Sequence, residues 1–229
     1  MPEDDIHHIR NVLRYKAGDQ LFVFDGIGAE YRATIVAMGK SEVIVRLEEQ
    51  LLHCKESPLI IRLFAALLRE PAWDDLMNVT TQLGVTLIQP IFTERGVRSG
   101  RSLPTERWER ILRAAAKQSG RSRIPQLAPM ITVHEIPELD HSQSAVRLAL
   151  VPNHSCQLKR EYMPEVVDIA VGPEGGFVPE EINILMSNQF VPLGLGRRIL
   201  RVETACAAAL VLAQHYYGDM ASGIHNPAE

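Results

Sequence analysis

The sequence predicts a small β module followed by an α/β domain with a mainly parallel sheet, and three observations carry that reading. From Ser57 onward, apolar strand-like runs alternate with segments of helical period, the order expected of a parallel sheet covered by helices. Several of those runs are apolar almost throughout, Leu59–Leu68 being interrupted only by Arg62, as strands buried on both faces must be. Residues 1–56 instead carry short alternating runs separated by glycine turns, which suits a small barrel or sandwich.

Taken in order, Leu21–Phe24 reads as a strand ending at the turn signal Asp25-Gly26, and Tyr31–Ala37 and Glu42–Leu47 supply two more. Ser57-Pro58 marks the boundary between the parts. Leu59–Leu68 is then a buried strand. Trp73, Leu76, Met77, Thr80 and Leu83 recur at helical spacing, with Gly84 suited to the C-terminal cap. Thr86–Phe92 is the next strand. Pro104–Ser119 reads as an amphipathic helix with Trp108, Ile111, Leu112 and Ala115 on one face, arginines on the other, and Gly120 closing it. Ala145–Val151 and Val166–Val171 are buried strands. Pro179–Asn188 is a helix with proline early and acidic residues in its first turn. Phe190–Leu193 is the last strand and Glu203–Tyr217 the last helix.

At 229 residues the chain has room for two such domains, and a chain of this size buries roughly 70–75% of its unfolded surface. Hydrophobic content of 46% and charged content of 23% are ordinary for a globular protein. Cys54, Cys156 and Cys206 stand far apart, without a CxxC pair, which favours reduced thiols over a disulfide framework or a zinc site. No apolar run approaches the ~20 residues needed to cross a bilayer, and the acidic N-terminus lacks a signal-peptide core. The expectation is a cytoplasmic protein that binds neither metal nor membrane. The net charge of −4 carries no global sign of nucleic-acid binding. Locally, nine basic residues between Arg95 and Arg123 face only Glu106 and Glu109. That stretch suits either a phosphate-facing patch or a solvated helix face.

Two glycine-bearing turns, Gly172-Pro173-Glu174-Gly175-Gly176 and Leu193-Gly194-Leu195-Gly196, each follow a predicted strand and precede a helix. Ligands of parallel sheets sit outside the carboxyl ends of the strands, where these turns fall. Neither turn is a known phosphate cradle. Ile199 stands where a dinucleotide fingerprint requires glycine, and no GKS or GKT follows Gly176. A ligand without a polyphosphate is the better fit. The plainer alternative is a pair of tight connections in which glycine merely permits positive φ.

VGPEGGF followed by LGLGRRILRVETA resembles the two closing motifs of the SPOUT superfamily of RNA methyltransferases, and most of all the RsmE type, which methylates N3 of a uridine in 16S ribosomal RNA. The segments HHIRNVLRYKAGDQLFVFDGIGAEYRATI, QLGV, ERGV and ERWERILRAAAKQSGRSRIPQL are similar to that family's earlier segments, in the same order. The resemblance implies an N-terminal PUA-like β-barrel over 1–56 that binds RNA. It implies a SPOUT methyltransferase domain over 57–229 with a C-terminal trefoil knot, a homodimer, and S-adenosylmethionine as cofactor, released as S-adenosylhomocysteine. The implied target is uridine 1498, on the small ribosomal subunit. Carried over by position, Gly172, Glu174, Gly175 and Gly176 form one cofactor loop. Leu193, Gly194, Gly196, Ile199 and Leu200 form a second, with Thr204 and Ala205 beneath it and Pro152 with its neighbours closing a third side. With the basic stretch, the resemblance places RNA contacts at Arg10, Arg14, Arg95, Arg98, Arg121 and Arg123. The sequence departs from the family pattern at Val79 and Gln82, where charged residues are usual, and the basic strand usual before His7-His8-Ile9 is either missing or cut off by truncation of the chain.

Methylation at N3 needs the weakly acidic uridine proton removed or its anion stabilised. Arg201 is the candidate for stabilising charge on the uracil oxygens and Glu203 for taking the proton. Glu203 equally suits a helix N-terminus, and Arg201 an ion pair with Glu203 or Glu174. Other readings that stay open are a SPOUT enzyme acting on transfer RNA or a ribose hydroxyl, an RNA-binding assembly protein without turnover, and a nucleotide-binding α/β protein, which the missing phosphate signatures oppose.

Overall fold

The structure, a computed structural model, describes residues 3–39, 41–51, 55–97, 103–138, 145–154, 158 and 163–220. It divides into two compact units. One comprises Met1–Glu56 with Gly120–Arg123, the other Ser57–Ser119 with Ile124–Glu229.

In the first unit a short helix, α1 (Glu3–His7), runs into one π-helical turn, His8–Val12. Strands β1 (Gln20–Phe24), β2 (Glu30–Met38) and β3 (Val43–Gln50) follow and form an antiparallel sheet in that order. The β1–β2 turn is organised by Asp25, whose Oδ1 accepts the N–H groups of Ile27 at 2.8 Å and of Gly28 and Ala29 at 3.0 Å. Desolvation opposes the charge on Asp25, but these backbone donors outweigh it and hold the carboxyl below its ordinary value. Gly26 and Gly28 take positive φ there, which the turn requires. Glu56 secures the inserted Gly120–Arg123 segment. Its carboxylate accepts from Arg121 Nη2 at 2.8 Å and from the Arg123 backbone N–H at 2.9 Å, and the Ser122 hydroxyl donates to the Gly28 carbonyl at 3.0 Å.

The second unit runs β4 (Ile60–Ala66), α2 (Ala72–Gln82), β5 (Leu87–Phe92), α3 (Thr105–Gln118), β6 (Gln126–Leu127), β7 (Ile131–Thr132), a 3-10 segment (Val133–Glu138), β8 (Ala145–Leu150), β9 (Val166–Val171), α4 (Pro179–Ser187), β10 (Val191–Leu193) and α5 (Val202–Tyr217). Its seven strands form one parallel sheet in the order β10-β8-β9-β4-β5-β6, with β7 also pairing β5. Every strand and helix expected from periodicity is present, within a residue or two except at the C-terminal end of β3, which runs three residues further. The elements not expected, α1, the π and 3-10 turns, β6 and β7, are too short to show a period.

Strand alternation builds two cores. Ile61, Leu63 and Ala65 of β4 pack with Trp73, Leu76, Leu112, Ala209 and Leu210 from α2, α3 and α5. Phe64 and Ala66 point the other way, onto Leu185 of α4 and Val133 and Ile136 of the 3-10 segment. All of β9 is buried. Trp73 and Trp108 stack obliquely with centroids 5.5 Å apart and join α2 to α3. Buried Gln214 fastens α5 by accepting from Ser57 Oγ at 2.8 Å and donating to Leu83 O at 3.2 Å. Gly84, with φ +89°, lies so close to Gln214 that a Cβ would overlap the amide. Cys206 is buried; burial first, then the charge of Glu203, pushes its thiol far up. Cys54 and Cys156 lie outside the described residues. Among the described residues no helix is long and apolar enough to cross a membrane.

One charged cluster lies inside this sheet. Asp168 of β9 is fully buried between its register partners Arg62 of β4 and Arg147 of β8. Arg62 donates to it through Nε at 2.6 Å and Nη2 at 2.8 Å; Arg147 Nε stands 3.7 Å away, and its Nη1 donates to the Asn188 carbonyl at 3.0 Å. Removing one partner of such a cluster strands the others in low dielectric. Asp168→Asn is therefore expected to lower the urea-unfolding free energy by about 3 kcal/mol. A loss below about 0.5 kcal/mol, the size of an ordinary surface change, would show the cluster to be dispensable.

Candidate functional site

Strands β10, β8 and β9 are neighbours and parallel, so the chain leaves all three at the same end of the sheet. The segments that follow surround an open cleft. Leu150, Val151 and Pro152 line it from β8. Val171, Gly172, Pro173, Glu174 and Gly176 line it from β9. Leu193, Leu195, Gly196, Arg198, Ile199 and Leu200 come from β10 and beyond, and Val202 and Ala205 from α5. The walls are mostly apolar side chains and backbone.

The glycines serve different ends. Gly176 (φ +68°) and Gly196 (φ +93°) adopt left-handed backbone, and the Gly176 N–H closes a turn onto Pro173 O at 2.8 Å. Gly172 is there for space: a Cβ would stand 3.0 Å from Phe177 N. At Gly194 a Cβ would overlap the carbonyl oxygen of His154, so the β10 loop passes directly against the β8 loop. A Cβ at Gly175 would stand 3.3 Å from Arg95 Cδ.

Of the residues the sequence pointed to for the cofactor, Pro152, Gly172, Glu174, Gly176, Leu193, Gly196, Ile199, Leu200 and Ala205 line the cleft. Gly175, Gly194 and Thr204 do not. Gly175 turns its carbonyl to Arg95, Gly194 abuts His154, and Thr204 is exposed on the first turn of α5. Val151, a neighbour of Pro152, lines the cleft too, while sequence reasoning missed Leu150, Val171, Pro173, Leu195, Arg198 and Val202. The apolar ones read as core, and their only signal was position beside the motif residues.

Arg201 is exposed at the N-cap of α5, its carbonyl accepting from Ala205 N at 2.8 Å, and Glu203 is half-buried in the first turn. Neither lines the cleft, although Leu200 and Val202, on either side of Arg201, do. Among the described residues neither forms an ion pair, with each other or with Glu174.

The arginines expected to meet RNA differ in their engagement. Arg10 and Arg14 are exposed in the first unit. Arg121 is only 5% exposed and bound to Glu56. Arg123 is half-buried against Gly28, with Nε lacking a hydrogen-bond partner. Arg95 donates to the Gly175 carbonyl at 2.9 Å. Arg98 lies outside the described residues. Within α3, Arg107 bridges Glu70 and Asp74, so part of the basic stretch is already neutralised. Among the described residues no three His, Cys, Asp or Glu side chains converge as metal ligands.

Comparison with known proteins bears on this site. Residues 55–214 match the RNA methyltransferase domain family, and residues 2–48 the RNA methyltransferase PUA domain family. A relative from Synechocystis, ribosomal RNA small subunit methyltransferase E, is 34% identical over 90% of this chain and 69% of its own length. The protein of the same name from Rickettsia conorii is 31% identical over 90% and 84%. Among solved structures, ribosomal RNA small subunit methyltransferase E from Neisseria gonorrhoeae, bound to S-adenosyl methionine, superposes with a TM-score of 0.86 at 30% identity, covering 96% of this chain and 92% of that one. A putative methyltransferase from Legionella pneumophila in complex with the same cofactor gives a TM-score of 0.81 at 33% identity over the same shares.

The two kinds of glycine separate in a stability test. A Cβ at Gly176 meets nothing within 4 Å, so Gly176→Ala costs only the left-handed backbone, about 1–2 kcal/mol. Gly194→Ala must also push apart two backbone segments and is expected to lower thermal stability further. Equal or reversed losses would contradict the close passage of the two loops.

Proposed function

The chain belongs to the RNA methyltransferase family that includes the small-subunit ribosomal RNA methyltransferases E, and from that membership we propose that it transfers a methyl group from S-adenosylmethionine to N3 of uridine 1498 in 16S ribosomal RNA, on the small ribosomal subunit. The observation that carries the proposal is the cleft itself: the strand-end motifs on which the family resemblance rests converge to line one cavity.

The residues present suit the cofactor. Gly172 is packed so closely that its own Cβ would be crowded, leaving backbone rather than side chains at the surface. Leu150, Leu193, Leu195, Leu200 and Val202 supply apolar wall for a purine. Ile199 is 95% exposed beside them, an apolar side chain available to cover a ligand. Pro152, Glu174, Gly176, Gly196 and Ala205 complete the proposed binding set, to which Gly175, Gly194 and Thr204 are next only in sequence. When bound, S-adenosylmethionine supplies an electrophilic methyl group on a sulfonium.

The chain's own part is to prepare the uracil. Arg201 sits in sequence between the cleft residues Leu200 and Val202, forms no ion pair among the described residues, and in this reading stabilises negative charge on the uracil oxygens as N3 loses its proton. Glu203, two residues on, accepts that proton. Because the Watson–Crick edge reacts, the uridine must be unpaired. Arg10, Arg14 and Arg98 are proposed to hold surrounding phosphates. Arg121, buried on Glu56, is proposed to secure the 120–123 segment, and half-buried Arg123 to meet phosphate from that segment.

The finer architecture belongs to the same proposal: a PUA-like barrel built around β1–β3, a trefoil knot where the β10 loop passes the β8 loop, a homodimer and a cytoplasmic setting. The contact of Gly194 with His154 supports the knot, because threading requires backbones to cross without intervening side chains.

Incubation with small subunits lacking the modification, followed by mass analysis of the nucleosides, is expected to yield 3-methyluridine. A ribose-methylated product, or none, would overturn the proposal. Arg201→Ala is expected to abolish transfer, at least about 100-fold, while S-adenosylmethionine affinity changes less than about threefold. Near-normal turnover would remove Arg201 from the mechanism. Glu203→Gln is expected to lose the acidic limb of the pH–rate profile, and an unchanged profile would exclude it as the base.

A further inference from the structure

The β5 loop and the β9 loop are not neighbours along the sheet, since β4 lies between them. They are nonetheless joined by two side chains. Glu181, in the first turn of α4 and only 5% exposed, uses one carboxylate oxygen for each side. Oε1 accepts the Glu94 backbone N–H at 2.8 Å and Oε2 the Val178 backbone N–H at 3.0 Å. Arg95 reaches across in the other direction, its Nη1 donating to the Gly175 carbonyl at 2.9 Å. Its aliphatic stem lies over Gly175, where a Cβ would stand 3.3 Å from Arg95 Cδ and 3.5 Å from Arg95 Cβ. Glycine at 175 is what allows that close approach. Glu174 and Gly176, immediately either side, line the cleft.

We infer that Arg95 and Glu181 form a clasp that holds the Gly172–Gly176 turn in its cofactor-binding shape, making Arg95 a positioning residue for the methyl donor. This rests on the reading of the cleft as the S-adenosylmethionine site. A turn of three glycines within five residues loses much backbone freedom when a ligand orders it. Two anchors from outside the turn reduce that cost before the ligand arrives. The Glu181 anchor is buried and carries a charge-assisted pair of bonds. The Arg95 anchor is exposed and is the more easily released.

The test compares wild type, R95A, R95K and E181Q by calorimetric titration with S-adenosylmethionine and by steady-state methylation of unmodified small subunits. R95A is expected to weaken S-adenosylmethionine binding about five- to tenfold, within the range for the net contribution of one ordinary hydrogen bond. Turnover at saturating cofactor should stay within about twofold, and KM for the subunit should not move. R95K, which keeps a donor, should recover most of the affinity. E181Q keeps one acceptor oxygen and loses the other, and should weaken cofactor binding without raising KM for the subunit. An R95A protein with intact cofactor affinity and a raised KM for the subunit, weaker in its salt dependence, would make Arg95 a phosphate contact and overturn the clasp. R95K no better than R95A would overturn it too. If wild type itself binds no S-adenosylmethionine, the reading of the cleft fails along with the clasp; if wild type binds and R95A binds equally well, the clasp alone fails.

Discussion

Asp168, buried between Arg62 and Arg147, sets the register of β4, β9 and β8, and the cleft depends on that register. Apolar strands buried on both faces discriminate poorly between alignments, because one valine against another costs little to exchange. A carboxylate that must meet two guanidinium groups does discriminate. A shift of one residue would turn it to the opposite face of the sheet and leave a buried charge unpaired. Such a cluster contributes less to net stability than its distances suggest, because all three groups lose hydration. Its effect is to penalise every wrong alignment. The right alignment ends β8, β9 and β10 side by side, so Pro152, Gly172 and Gly196 face one space.

Most of the fold is written in periodicity. The unbroken apolar runs of β4 and β9 and the helical spacing of Trp73, Leu76 and Met77 are enough by themselves to announce a covered parallel sheet. Length decides what escapes: β6 and β7 have two residues each, fewer than any period needs. The antiparallel β1–β2 turn is visible for a different reason, because Asp25-Gly26 encodes its geometry locally.

The site is legible unevenly. Glycine in a strand-end motif signals close approach or left-handed backbone, and Gly172, Gly176 and Gly196 all lie where that signal puts them. The same letter conceals different functions, since Gly175 makes room for Arg95 and Gly194 for His154. Arginine is harder still. A guanidinium has the same five donors whether its partner is a phosphate, the Glu56 carboxylate or the Gly175 carbonyl, and only coordinates tell these apart. Arg121, Arg95 and Arg107 are accordingly the positions where a basic stretch in sequence becomes internal bonding in the fold. Apolar wall residues such as Val171 and Val202 stay hidden because a cleft wall and a core ask for the same side chains.

In the proposed function one cleft, at the joined ends of β8, β9 and β10, receives the methyl donor. A crystal structure of the protein with S-adenosylmethionine tests it most directly. Cofactor density is expected between Pro152, the Gly172–Gly176 turn and Leu193–Leu200, with Arg95 still on the Gly175 carbonyl. Cofactor bound elsewhere, with this cleft filled by solvent alone, would contradict it.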